Sequence, residues 1–324
     1  MKNFQENVLL ADLLNYRIGG IARFFFAPKN DKELIFCVKE AKNKKLKILI
    51  LGGGTNILMN DNGFDGLVIK PDIRFLKCEK NNIISVGAGN SMSEVVDFSY
   101  KKSLSGFEWA GGLPGSLGGA IRGNAGCFGG ETKDNLVSVR SFDMKTMSFR
   151  VRTKSQCKFG YRDSIFKKEK SNEIIVSAKF KLKKGDKKQI AEIIRKNIYY
   201  RITHHPMEYP NAGSVFKNVP LKMIYKEGSK KYKDAVLKGN ILFKGSNFSV
   251  KTDPFPVISV AKLISECGLC GVSYNSAMIS PKHPNFIVNT LNATASDVLN
   301  LISLAKNEVK NKFGVELKEE IEII

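Results

Sequence analysis

The chain has 324 residues, 43% of them apolar and 26% charged, a globular balance that excludes a disordered or collagen-like chain and supplies core material for two or three domains. Lysine and arginine number 52 against 31 aspartates and glutamates, so the net charge of +21 is spread along the chain rather than held in a basic arm. About four in five of the basic residues are lysine, whereas groove-reading proteins rely on arginine forks, so anionic small molecules are the expected partners and nucleic acid is not.

The start MKNFQENVLL lacks a signal-peptide pattern, and no stretch approaches the roughly 18 apolar residues of a membrane span. Six scattered cysteines then point to reduced thiols in a cytoplasm. Residues 31–45 carry Leu34, Ile35, Val38 and Ala41 at helical spacing, and 46–51 reads as a buried strand. Further strands are predicted at 66–70, 83–87 and 137–142, with a helix over 94–102. Residues 175–183 alternate, with Val176, Ala178, Phe180 and Leu182 on one face and Ser177, Lys179, Lys181 and Lys183 on the other. The polar stretch 183–188 marks a boundary, dividing the chain into residues 1–184, with a split near 70, and 185–324.

Beyond it, Ile190, Ile193, Ile194 and Ile198 predict a helix over 189–199. Residues 220–257 are lysine-rich and weakly patterned, and read as a basic insertion. Thr294 and Asp297 form a capping pair for a helix striped by Val298, Leu301, Ile302, Ala305, Val309 and Phe313. Gly314 stops it and a closing strand over 315–324 follows. The fold class is α+β.

Two glycine-rich loops lie in the first half. Gly52-Gly-Gly-Thr-Asn56 follows a strand directly and offers successive main-chain N–H groups to a diphosphate. It is neither a Walker loop nor a spaced GxGxxG fingerprint. Leu113-Pro-Gly-Ser-Leu-Gly-Gly-Ala120 and Arg122-Gly-Asn-Ala-Gly126 hold more glycine than a turn requires. Together the loops suggest an extended dinucleotide. Cys267-Gly-Leu-Cys270 has ligand-like spacing, but His204, His205 and His283 do not complete a metal set, so no metal is expected.

The ordered blocks Gly52-Gly-Gly-Thr-Asn-Ile-Leu58, Gly112-Leu-Pro-Gly-Ser-Leu-Gly-Gly-Ala120, Asn124-Ala-Gly126, Tyr161-Arg-Asp-Ser-Ile-Phe166, Asn211-Ala-Gly-Ser-Val-Phe-Lys-Asn218 and Asn285-Phe-Ile-Val-Asn289, with Arg17-Ile-Gly-Gly20 near the start, resemble the UDP-N-acetylenolpyruvoylglucosamine reductase (MurB) family. The resemblance implies an FAD-binding half of the vanillyl-alcohol-oxidase (PCMH) type, made of two α+β subdomains, and a C-terminal α+β substrate-binding domain. It implies non-covalent FAD, NADPH as hydride donor, and reduction of UDP-N-acetylglucosamine enolpyruvate to UDP-N-acetylmuramate in peptidoglycan precursor synthesis; separately, a monomer is expected.

Carried over by motif, Gly52, Gly53, Gly54, Thr55, Asn56, Gly115, Ser116, Gly118, Gly119, Asn124 and Gly126 would hold the cofactor. Ser214 matches the proton donor, Arg162 the active-site arginine and Glu320 the catalytic acid. Spacing alone does not choose between Glu320 and Glu322, which share one face by period-two alternation, with Ile321 and Ile323 on the other. Tyr161, Lys217 and Asn218 are expected to contact substrate. Two features depart from the family or stand apart: Lys217-Asn-Val-Pro220 replaces the usual Lys-Asn-Pro, and Cys127 is the one thiol placed to be checked as a flavin attachment point.

Overall fold

A computed structural model describes residues 4–168, 172–252 and 255–324; residues 1–3, 169–171 and 253–254, the last pair inside the predicted insertion, lie outside the described residues. The chain divides into two units, Met1–Leu9, Ile21–Thr55 and Gly63–Thr203 in the first and Leu10–Gly20, Asn56–Asn62 and His204–Ile324 in the second.

In the first unit, Asn30 caps α1 (Asp31–Asn43) by accepting the Glu33 N–H, and Leu34, Cys37, Val38 and Ala41 form its buried stripe. The helix connects strands of a four-stranded sheet ordered Gln5–Leu9, Ile21–Phe26, Phe64–Ile69, Ile48–Ile50. The first pair is antiparallel and the remainder parallel, as a helical crossover requires. A second sheet, antiparallel throughout, runs Ser148–Thr153, Leu136–Asp143, Glu173–Lys181, Ile83–Gly87, Leu76–Cys78. One of its faces packs on α2 (Met92–Lys101) and α3 (Leu117–Arg122) through Val86, Val95, Ile121 and Phe180. Phe142, Ile174 and Val176 instead join α1 and the first sheet.

That second covered face overturns the alternation predicted for 175–183. Ser177 pairs with Arg140 but Ile175 pairs with Ser141, so Val176 is the extra residue of a bulge, and a bulge exchanges the faces of a strand. Val176 therefore packs with Ile174, while Ala178, Phe180 and Leu182 enter the cluster under α2 and α3. The next helix, α4 (Lys187–His204), also departs from its predicted stripe: Ile193 is 47% and Ile198 37% exposed, while Asn197 and Arg201 are buried. The reason is polar. Asn197 Nδ2 donates to Glu108 O and Arg201 Nε to Gly111 O, each at 2.9 Å, so main-chain hydrogen bonds choose the buried face.

The second unit contains α5 (Lys230–Lys238), α6 (Val260–Glu266) and α7 (Ala295–Phe313). The Thr294–Asp297 capping box opens α7 and Gly314, at φ 69°, closes it. Val298, Leu301, Ile302, Val309 and Phe313 face Tyr16, Leu58, Phe216, Phe248 and Ile287 in one core. Described residues of the segment 220–257, among them Leu221, Ala235, Ile241 and Phe248, are part of that core. The segment supplies strands to an antiparallel sheet ordered Val219–Pro220, Val257–Ile258, Ser246–Lys251, Asn240–Phe243, and Phe248 meets the Phe313 ring at 5.6 Å. A three-stranded antiparallel sheet, Ser273–Tyr274, Ala277–Ile279 and Ile287–Asn289, completes the unit.

The predicted closing strand over 315–324 shrinks to Glu322–Ile323, which pairs in parallel with Ile57–Leu58. Ahead of it the chain makes a single bridge, Phe216 to Glu319. Ile321 is buried at 4% and Ile323 is 46% exposed, so the two isoleucines do not share a buried face. Among the described residues no helix is long and apolar enough to cross a membrane.

Candidate active site

Strand Ile48–Ile50 ends where Leu51 N–H donates to Ile69 O at 2.9 Å, and the glycines follow. A Cβ on Gly53 would lie 2.6 Å from Gly115 Cα and Ser116 N, and one on Gly52 3.0 Å from Ser116 Oγ. The two glycine loops are thus packed main chain against main chain. Gly54 at φ 68° and Gly115 at φ 110° add conformations that side-chain-bearing residues resist. Among the described residues the N–H groups of Gly52, Gly53, Gly54 and Thr55 meet no acceptor, which leaves a row of donors suited to phosphate oxygens. The start of α3 is used differently: Leu117, Gly118 and Gly119 donate to Asn90 O, Ala88 O and Ser116 Oγ. Gly118 fits against Ala88, whose Cβ would stand 3.2 Å from an added methyl, whereas a methyl on Gly119 would meet nothing closer than 3.5 Å.

Asn124 is fully buried. Its side chain donates to Gly160 O at 2.9 Å and Glu131 Oε2 at 3.2 Å and accepts the Lys133 N–H at 3.1 Å, so it ties three loop segments together. Gly126 opens a hairpin in which a Cβ would strike Glu131 Cγ at 2.6 Å, and its carbonyl accepts Arg162 Nη2 at 2.6 Å. Arg162 stands at the tip of a tight turn closed by Gly160 and Asp163, with φ 52° and its guanidinium 5.1 Å from the Tyr161 ring. Asp163 pairs with Lys168 at 2.5 Å. Cys127 Sγ accepts from Arg201 Nη2 at 2.9 Å and donates to Trp109 O at 3.2 Å, so protein groups occupy this thiol.

In the second unit Ser214 is half-buried and follows Gly213 at φ 79°, whose N–H donates to Asn211 Oδ1 at 2.9 Å. This is an Asx turn, which sets the chain direction locally. The next residues run beside the C-terminal segment: Glu320 N–H donates to Val215 O at 2.7 Å and Lys217 N–H to Lys318 O at 2.9 Å. Glu320 is therefore the neighbour of the Ser214 segment, while Glu322 pairs with Ile57. Asn56, expected among cofactor ligands, donates through Nδ2 to Glu320 O at 3.1 Å and accepts the Glu322 N–H at 2.9 Å. Burial pushes the Glu319 carboxyl up, but the Lys306 ammonium at 2.8 Å and a main-chain hydrogen bond outweigh it and hold Glu319 below the usual range, so Glu319 is ionised. Asn218 Oδ1 accepts the Val260 N–H at 3.3 Å at the start of α6, whose C-cap is Cys267. Among the described residues no three His, Cys, Asp or Glu side chains gather as a metal site.

Residues 22–147 match the FAD binding domain family, and residues 205–324 match the UDP-N-acetylenolpyruvoylglucosamine reductase C-terminal domain family. The UDP-N-acetylenolpyruvoylglucosamine reductase of Fervidobacterium nodosum is 38% identical over 317 residues, covering 98% of this chain and 90% of its own length. The chain belongs to the UDP-N-acetylenolpyruvoylglucosamine reductase (MurB) family. The MurB relative from Clostridioides difficile is 34% identical over 96% of this chain and 90% of its own. The crystal structure of MurB from Thermus caldophilus covers 99% of both chains with a TM-score of 0.74 and 28% identity. An FAD-binding domain and a MurB C-terminal domain, both α+β, are thus the fold class expected from the motifs. The donor row at 52–55 and the open face of Gly119 fit the diphosphate of FAD.

What the motifs did not reveal is how the Ser214 turn is held. Asn285 Oδ1 accepts the Phe216 N–H at 3.0 Å, its Nδ2 donates to Phe216 O at 2.8 Å, and its own carbonyl accepts the Val215 N–H at 2.7 Å. The sequence signal was that Asn211 and Asn285 open two of the family blocks, next to Pro210 and Pro284.

Proposed function

We propose that this chain reduces UDP-N-acetylglucosamine enolpyruvate to UDP-N-acetylmuramate with NADPH and non-covalent FAD, supplying a peptidoglycan precursor as a cytoplasmic monomer. The reading is supported by full-length similarity to MurB relatives. The observation that carries the mechanism is the main-chain pairing of the Ser214 segment with the Glu320 segment.

The first unit would bind the cofactor: the N–H row of 52–55, with Gly115, Ser116, Gly119 and Gly126, would hold it, and Gly118 and Asn124 would shape those loops. When bound, FAD supplies the redox chemistry, taking a hydride from NADPH and passing it to the enolpyruvyl methylene carbon. Arg162 and Tyr161 receive the substrate carboxylate, whose charge grows as the alkene accepts the hydride; a planar guanidinium suits that task. Ser214 Oγ donates its proton to the neighbouring carbon, and Lys217 lowers the cost of the alkoxide left behind. Glu320, backed by Asn56, acts as an acid toward the enediolate-like carboxylate. Asn218 contacts the UDP-sugar. The second unit is the substrate-binding domain.

The test is direct. The purified protein, loaded with FAD and reduced anaerobically with NADPH, is expected to reoxidise promptly on addition of UDP-N-acetylglucosamine enolpyruvate, with UDP-N-acetylmuramate as product. A yellow protein that stays reduced would retire this substrate.

A further inference from the structure

A proton donor must be held within tenths of an ångström of its acceptor, yet Ser214 lies in no helix or regular strand. Its segment is held from two sides. Val215 O and Lys217 N–H bond to the chain carrying Glu320. Phe216, between them, directs its own N–H and C=O the other way, as alternation along an extended chain requires, and both are taken by the single side-chain amide of Asn285. Asn285 is 4% and Phe216 1% exposed. One carboxamide therefore stands in for a peptide group of a neighbouring strand.

The support beneath this amide is rigid. Asn285 leads into strand Ile287–Asn289, which is buried throughout. The same strand receives the other side of the turn, because Asn211 bridges to Val288 and Asn289 N–H donates to Pro210 O at 2.9 Å. Asn211 Nδ2 in turn donates to Pro206 O and Tyr209 O at 3.2 and 2.8 Å. Both sides of the Ser214 turn are thus referenced to one strand, and the Asn285 side chain holds Phe216, two residues beyond the serine.

We propose that Asn285 is the positioning residue for Ser214, its planar amide fixing the serine turn against the Glu320 segment; this rests on the reading of Ser214 as proton donor. A residue of the same length needs both a donor and an acceptor to do this. Aspartate accepts only, and alanine offers neither.

The test uses Asn285→Ala and Asn285→Asp in the full chain, with Ser214→Ala beside them. In the apoprotein, the Phe216 amide of Asn285→Ala is expected to exchange with solvent 10-fold or more faster than in the parent, with exchange in α7 unchanged. In the FAD-loaded enzymes, reduction by NADPH should stay within twofold of the parent. Reoxidation by the enolpyruvyl substrate should slow by 10-fold or more with a larger solvent deuterium isotope effect, because only that half-reaction uses the serine proton. Reoxidation at the parent rate in both Asn285 variants, with Ser214→Ala slow, would overturn the positioning role alone. Equal losses in both half-reactions, or loss of FAD in both variants, would reduce Asn285 to a structural residue and also overturn it. Reoxidation of Ser214→Ala at the parent rate would remove the donor reading and the positioning role with it.

Discussion

In the first unit the backbones at 52–55 and 113–119 meet because side chains are missing, whereas in the second the Ser214 turn is held because two asparagine side chains are present. The glycine contact tolerates no added atom where main chain meets main chain, as at Gly53. The asparagine contact tolerates no lost atom, since removing either end of the Asn285 amide leaves a buried Phe216 group unpaired. Glycine loops can thus present bare N–H groups to a diphosphate, while a proton donor is aimed by side-chain bonds that fix one geometry.

The largest effect is expected at Ser214. Ser214→Ala is expected to slow substrate-driven reoxidation by about 10²- to 10⁴-fold with an unchanged melting temperature; stopped-flow absorbance and calorimetry together check it, and a loss of stability in step with activity would count against a chemical role. Next in size, Gly53→Ala forces the backbone at Gly115 and Ser116 to move, an overpacking cost of about 1–3 kcal/mol, with weakened FAD retention measured by ultrafiltration. Gly119→Ala sharpens the contrast. Its methyl meets only ordinary contacts inside α3, so stability should hold or rise by up to about 1 kcal/mol while FAD affinity falls; a parent-like FAD affinity would remove Gly119 from the cofactor site.

A further test is the pH dependence of stability in the second unit. Burial pushes the His283 imidazole down from 6.5 to about 4, against an opposing hydrogen bond to its own main chain and with Lys251 and His204 adding repulsion. The unfolded chain takes this proton near pH 6.5 and the folded chain only near 4. The stability conferred is therefore complete above pH 6.5 and drains away as pH falls toward 4. His283→Gln should flatten the dependence of melting temperature on pH over that interval, and an identical slope in the variant would refute the assignment. Smallest of all, Thr294→Ala removes one cap of α7 and should cost about 1 kcal/mol in denaturant unfolding.

Much of this was legible locally. The α1 and α7 stripes, their caps, the strand before Gly52 and the excess of glycine in two loops are short-range signals, because helical period, N-caps and backbone freedom act within a few residues. The misreadings share another origin. Val176 changed faces because a partner strand forced a bulge, and α4 buried Asn197 and Arg201 because the main chain of Glu108 and Gly111 needed donors. Asn56, expected with the glycines to hold the cofactor, gives its amide to Glu320 O, 264 residues away.

The sequence by itself determined the α+β class, the family and the residue types available for chemistry, since each is written in periodicities and motifs that need no partner. The tertiary structure alone decided that Glu320 rather than Glu322 lies beside the Ser214 segment, and that an asparagine 69 residues from Phe216 completes its hydrogen bonds. Such pairings depend on which buried donors are left unpaired once the chain has folded, and no local pattern encodes that.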